Sequence, residues 1–153
     1  MGERSEMKKV MLDTNVYCRP FDDQSDFKLK EESDSVLIIL SKLTGRAEIV
    51  TSDVLYDEVD LIKDKSKRES VLYLIESVES ERITTNISVI GIADGLHGLI
   101  HDYNDCLHIA FAGAGKCDFL ITCDDELLKI RAKIERFLLS RNVITKVIHP
   151  SEY

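Results

Sequence analysis

The chain has 153 residues, 44% of them hydrophobic and 31% charged, with 7 Gly and 2 Pro; this fits one compact domain and excludes collagen, low-complexity linker and intrinsic disorder. Twenty basic against 28 acidic residues give a net charge of -8, which argues against coating nucleic acid or an anionic membrane by charge alone. The longest uninterrupted apolar run, Val36 to Leu40, is far short of a membrane span.

The polar start MGERSEMKKV lacks the apolar core of a secretory signal, so a cytoplasmic chain without membrane contact is expected. Residues 1–7 read as a disordered or tag-like terminus and 8–153 as one domain. The first strand is expected over Lys8 to Leu12, ending at Asp13-Thr14-Asn15, residue types that favour turns and caps; Arg19 to Asp23 reads as a loop. Leu29, Val36, Leu37, Leu40 and Leu43 recur at helical spacing from about Asp26 to Leu43, with Gly45 as a stop. A second strand, Glu48 to Thr51, leads into a helix capped by Ser52. Another helix spans about Ser66 to Ser80, and a short strand near Ile83 follows. Gly91, Gly95 and Gly98 leave Ile87 to Ile100 ambiguous, because each glycine weakens a helix. A small apolar helix from Asn104 to Ala112 precedes a strand, Asp118 to Cys123, then one helix from Asp124 to about Ser140, then a last strand, Lys146 to His149. Short strands alternating with helices predict a three-layer α/β/α sandwich around a central, mostly parallel sheet.

In such a sheet, ligands gather outside the carboxyl ends of the strands. Asp13 follows the apolar end of the first strand and Asp124 follows Phe119 to Cys123, so the two carboxylates are candidates for one rim; each is equally a candidate helix cap. Glu58 falls among Val54, Leu55, Leu61 and Ile62 on an apolar helix stripe, where a carboxylate is costly unless it is paired, binds a cation or snorkels out at the stripe edge. Asp105 opens the most apolar helix, as a cap or as a fourth inward acid. Four acids brought together repel one another, which is tolerable if they share protons or bind a hard cation. An all-oxygen set suits Mg²⁺ or Mn²⁺, and such a centre hydrolyses phosphodiesters.

Met11-Leu12-Asp13-Thr14-Asn15, Ser52 with Glu58 six residues on, Asp105-Cys106-Leu107-His108-Ile109-Ala110 and Ile121-Thr122-Cys123-Asp124 resemble the four ordered motifs of PIN-domain nucleases, a group that includes many toxin ribonucleases of toxin–antitoxin pairs. The resemblance implies a metal-dependent endoribonuclease with Asp13, Glu58, Asp105 and Asp124 as catalytic, metal-holding acids. It also implies that Asn15 and Thr122 orient the carboxylates or the attacking water. An RNA substrate, an antitoxin protein and a second copy of the chain are the candidate partners, with an apolar patch near Val71 to Val78 as a candidate docking face.

Between Lys129 and Lys146 there are six basic residues and one acid. Lys129, Lys133 and Arg136 are the candidate substrate-binding cations, against a bland reading in which they offset a helix dipole. Lys63, Lys65, Lys67 and Arg68 read as a solvated turn. His97, His101, Asp105 and His108 would share one face if their helix were continuous, as a zinc site requires; Gly98 argues against that, and His108 reads as packed or orienting. The cysteines, at 18, 106, 117 and 123, form no Cys-x-x-Cys pair and are expected as free thiols. Two rival readings stand beside the nuclease: an inactive PIN-like module that binds RNA or protein, and a phospho-receiver domain, whose required order of strand-end Asp and later Lys this chain fits poorly.

Overall fold

The computed structural model describes residues 7–153; residues 1–6, and with them most of the expected disordered or tag-like terminus, lie outside the described residues. The strands are β1 (Lys8–Leu12), β2 (Ala47–Ser52), β3 (Glu81–Ile83), β4 (Phe119–Ile121) and β5 (Lys146–Ile148), joined in one sheet of order β3-β2-β1-β4-β5. All four pairings are parallel, with Val10 beside Ile49 on one side and Phe119 on the other. Parallel strands are covered on both faces and so read as near-continuous apolar runs; Val10, Met11 and Leu12 are all buried.

The helices are α1 (Thr14–Cys18), α2 (Phe27–Leu43), α3 (Asp53–Asp60), α4 (Lys65–Val78), α5 (Ile87–Leu96), α6 (Tyr103–Ala114), α7 (Asp125–Lys129) and α8 (Arg131–Ser140). Alternation along β1 divides the core. Val10 and Leu12 pack with Val16 and Tyr17 of α1, Val36, Ile39 and Leu43 of α2, Val59 of α3 and Ile75 of α4. Met11 faces the opposite layer, with Leu96 of α5, Ile109 of α6, Leu127 of α7 and Ile134 of α8. The result is the expected three-layer α/β/α sandwich. Among the described residues no helix is long and apolar enough to cross a membrane.

Four local expectations are corrected. The segment after Asp13 is a helix followed by a 3-10 turn, Arg19–Phe21, because Asp13 caps it and Val16 and Tyr17 are buried; five residues are too few to show a period. The glycine-rich segment is a helix capped by Asn86, and Gly98 falls beyond its end. The last long helix is two, since Ile130 leaves helical geometry at φ -106°, ψ 16°; the apolar stripe continues across the break, so periodicity is blind to it. Finally, α3 stops at Asp60, so Leu61 is 76% exposed and Val59 takes the buried place.

Candidate functional site

The strand order reverses at β1, which has β2 on one side and β4 on the other; the crevice at the carboxyl ends there is where an open parallel sheet takes a ligand. Asp13 stands at that point, its backbone N–H donating to Ile121 of β4 at 2.9 Å. Its side chain serves two purposes. Oδ1 accepts from the Thr14 N–H at 2.7 Å, capping α1, and Oδ2 accepts from the Thr122 hydroxyl at 2.8 Å and the Asn15 amide at 3.3 Å. Asn15 in turn accepts from the Cys123 N–H at 2.9 Å, and the Thr122 hydroxyl accepts from the Asp124 N–H at 3.0 Å. At 4% exposure Asp13 is a buried carboxylate whose orientation is fixed by donors, which is how such a group is accommodated.

Glu58 reaches the same place from α3. Its Oε1 accepts from the Thr14 hydroxyl at 2.5 Å and from His108 Nε2 at 2.7 Å, and its Oε2 accepts from the Asn104 amide at 3.1 Å. Burial works against its charge, but the bond and charge of His108, with the Thr14 and Asn104 donors, hold its carboxyl down at about 2. His108, buried on α6, also lies 3.4 Å from Asp13 Oδ1. Burial disfavours its positive form, yet the charges of Asp13, Glu58 and Asp105 raise it to about 9. Its Nδ1 meets no partner among the described residues.

Asp102, not Asp105, caps α6. Asp105 therefore sits inside the first turn, and no donor among the described residues reaches its carboxylate. Burial, then the negative charges of Asp13, Asp102 and Asp124, push it up to about 7. Asp13, Glu58 and Asp105 line one cleft of about 440 Å³ together with Thr14, Asn15, Arg19, Asp22, Leu61, Lys67 and Asn104. Asp124 does not line it: its Oδ1 accepts from the N–H groups of Glu126 and Leu127, at 2.8 and 3.4 Å, and caps α7. Asp125 beside it is exposed and paired with Lys28.

The donor chemistry fits a divalent cation. Asp105 faces like charges with no donor of its own, while oxygens of Asp13 and Glu58 and a His108 nitrogen come within 4.8 Å of one another. A second such group, Glu32, Cys123 and His149, is satisfied without an ion. Glu32 accepts from Arg19 Nε at 2.8 Å and His149 Nε2 at 3.0 Å, while the Ser151 N–H donates to His149 Nδ1. Burial, then Glu32, pushes the Cys123 thiol up to about 12. All four cysteines are free, three of them buried.

The other candidates fall outside the cleft lining. Lys129 lies on α7, separated by the break at Ile130 from Lys133 and Arg136 on α8, and all three are exposed. His97 and His101 are exposed in the connection between α5 and α6, so the continuous helix that a zinc face needs is absent there. Within Val71 to Val78, Val71 and Ile75 are core and Tyr73 is 76% exposed. Sequence reasoning missed Thr14, Asn104, Arg19 and Lys67 as cleft residues. The first two adjoin acids that were singled out, whereas Arg19 and Lys67 carry no local signal, and Lys67 lies in the first turn of α4 rather than in a solvated turn.

A three-layer parallel α/β fold with an acidic cleft at its strand reversal defines the class. The family model described as PIN domain matches residues 9–126, and the chain belongs to that family, whose members are generally nucleases that use divalent metals. Among solved structures the chain is similar to one in the crystal structure of VapBC2 from Rickettsia felis bound to a DNA fragment from their promoter. The identity is 22%, with 91% of this chain and 98% of that chain covered and a TM-score of 0.54, a likeness of fold. No curated protein sequence matches the chain significantly.

Proposed function

We propose that this protein is a cytoplasmic Mg²⁺- or Mn²⁺-dependent endoribonuclease and the toxin of a toxin–antitoxin pair. The observation that carries the reading is the convergence of Asp13, Glu58 and Asp105 on one cleft, with Asp13 and Glu58 held rigidly and Asp105 left without a donor. In this reading Asp13, Glu58 and Asp105 hold the metal from the cleft lining, and Asp124, outside that lining but near enough for its charge to act on Asp105, completes the set with the oxygen it does not use as a cap; the metal when bound activates water and neutralises phosphodiester charge. Thr122 and Asn15 keep Asp13 turned to the cleft, and Thr14, Asn104 and His108 do the same for Glu58. Asp105 is the carboxyl free to reorient toward metal or attacking water. Lys129, Lys133 and Arg136 meet the RNA strand beyond the cleft, and residues 8–153 form the single domain that carries the site. Membership of the PIN family supports nuclease chemistry, and the VapBC2 neighbour supports an antitoxin partner.

The test is Mn²⁺-dependent cleavage of a panel of structured and single-stranded RNAs by the wild type and by Asp105→Asn, with EDTA as control. Cleavage that needs metal and drops at least about 100-fold in the variant is expected, the scale at which loss of a key electrostatic group acts. If the wild type binds the RNAs without cutting any in Mn²⁺, the chain is a binding module instead.

A further inference from the structure

The cleft of this acidic chain also carries two cations, Arg19 and Lys67, with the carboxylate of Asp22 between them. Arg19, on the 3-10 turn that continues α1, and Lys67, on α4, both line it. Both are pinned. Arg19 donates through Nε to Glu32 at 2.8 Å and through Nη1 to Asp22 at 2.9 Å, and Lys67 Nζ donates to the other oxygen of Asp22 at 2.7 Å. One carboxylate, Asp22, thus serves two cations, while Glu32 is buried and shared with His149. Arg19 Nη2 has no partner among the described residues, and Lys67 uses one of its three N–H donors.

We propose that Arg19 and Lys67 are the phosphate-contacting residues of the cleft, holding an RNA backbone phosphate next to the bond presented to the acidic cluster; this rests on the nuclease reading above. Beyond the charge a metal neutralises at the carboxylates, side-chain cations close to them help to attract and orient a substrate polyanion. The exposed lysines elsewhere would lose rotamer freedom on meeting a phosphate. The Arg19 and Lys67 side chains, 19% and 29% exposed and already tethered, have lost most of theirs in folding, so contact costs less. A guanidinium held at Nε and Nη1 presents its remaining edge in a fixed direction, which suits a phosphate oxygen.

The experiment measures binding of a short fluorescent single-stranded RNA by anisotropy, in Mn²⁺ and over a range of salt, with Asp105→Asn as the non-cleaving background. Adding Lys67→Gln is expected to weaken binding roughly 5- to 10-fold and to reduce the salt slope by about 0.7, one single-strand phosphate contact. Lys67→Arg is expected to restore both. Lys8→Gln, the same charge change at the far end of β1, is expected to leave both unaltered. Equal effects of Lys67→Gln and Lys8→Gln would overturn the proposal, because Lys67 would then act only through net charge. Wild-type cleavage with an indifferent Lys67 removes this proposal alone; absence of both cleavage and RNA binding removes the nuclease reading with it.

Discussion

Asp105, His108 and Glu58 set how the cleft responds to pH. Burial and neighbouring carboxylates raise Asp105 from 3.8 to about 7, and the acids around His108, acting against burial, raise it from 6.5 to about 9. Each binds its proton more tightly folded than unfolded. The stability Asp105 contributes is therefore present below 3.8 and lost as pH rises through about 7; that of His108 is present below 6.5 and lost through about 9. Glu58, lowered from 4.5 to about 2, behaves oppositely, its contribution present above 4.5 and lost as pH falls through about 2. Glu58 and His108 are two ends of one ion pair and count once. In EDTA the urea midpoint is thus expected to fall from about pH 4 to about pH 9, and Asp105→Asn is expected to remove the part of that fall below about pH 7. Added Mn²⁺ is expected to raise the midpoint more on the alkaline side, since metal competes with protons for these groups. A midpoint independent of pH and metal would show that the three groups do not interact as placed. The acids themselves were legible one by one, from apolar runs that end in Asp and from a Glu on an apolar stripe. Of their partners, Asn15 and Thr122 came through the motif resemblance and His108 read only as packed or orienting; which acid each one meets was not legible, since Thr122 meets Asp13 across 109 positions and His108 meets Glu58 across 50, and no local pattern encodes such pairs.

At the scale of elements, α5 shows why composition misled. Glycine lowers helix propensity by about 1 kcal/mol relative to alanine, yet α5 forms because Asn86 caps it and Val89, Ile92, Ala93 and Leu96 are buried. The glycines there differ in kind. A Cβ on Gly95 would lie 2.5 Å from the Phe137 ring and 2.8 Å from an Arg141 nitrogen, whereas one on Gly91 meets nothing within 4 Å. Gly95→Ala is therefore expected to destabilise by about 1–3 kcal/mol through displacement of Phe137, and Gly91→Ala to stabilise by about 0.5–1 kcal/mol. Thermal unfolding of the two variants measures this, and a stabilising Gly95→Ala would mean that α5 and α8 are not in close contact. The same division runs through the rest of the fold. Elements with a full period of apolar residues, such as α2 and α4, were legible to within about two residues. The five-residue α1 and the break at Ile130 were not, because one is shorter than a readable period and the other leaves the period intact.

At the scale of the molecule, a chain of charges crosses between layers of the sequence that are far apart. His149, just beyond β5, donates to Glu32 on α2; Glu32 accepts from Arg19 beyond α1, and Arg19 and Lys67 of α4 share Asp22. Glu32 is the pivot. Its side chain is 5% exposed, and burial, which disfavours its charge, is overcome by the His149 and Arg19 bonds that hold its carboxyl below the usual range. Removing one partner of a buried ion pair leaves the other uncompensated, at a cost of about 3–5 kcal/mol; because Arg19 is partly in water, the lower end is expected for Glu32→Ala. His149→Ala is expected to cost less, about 1 kcal/mol, since Glu32 keeps Arg19 and loses one hydrogen bond. Urea unfolding at fixed m value reads both changes. The two variants also separate support from contact: Glu32→Ala frees Arg19 from its anchor and is expected to weaken RNA binding as well as the fold, whereas His149→Ala is expected to leave RNA affinity intact. If Glu32→Ala costs no more stability than His149→Ala, the pivot is not Glu32, and the two cations of the cleft are held by Asp22 alone.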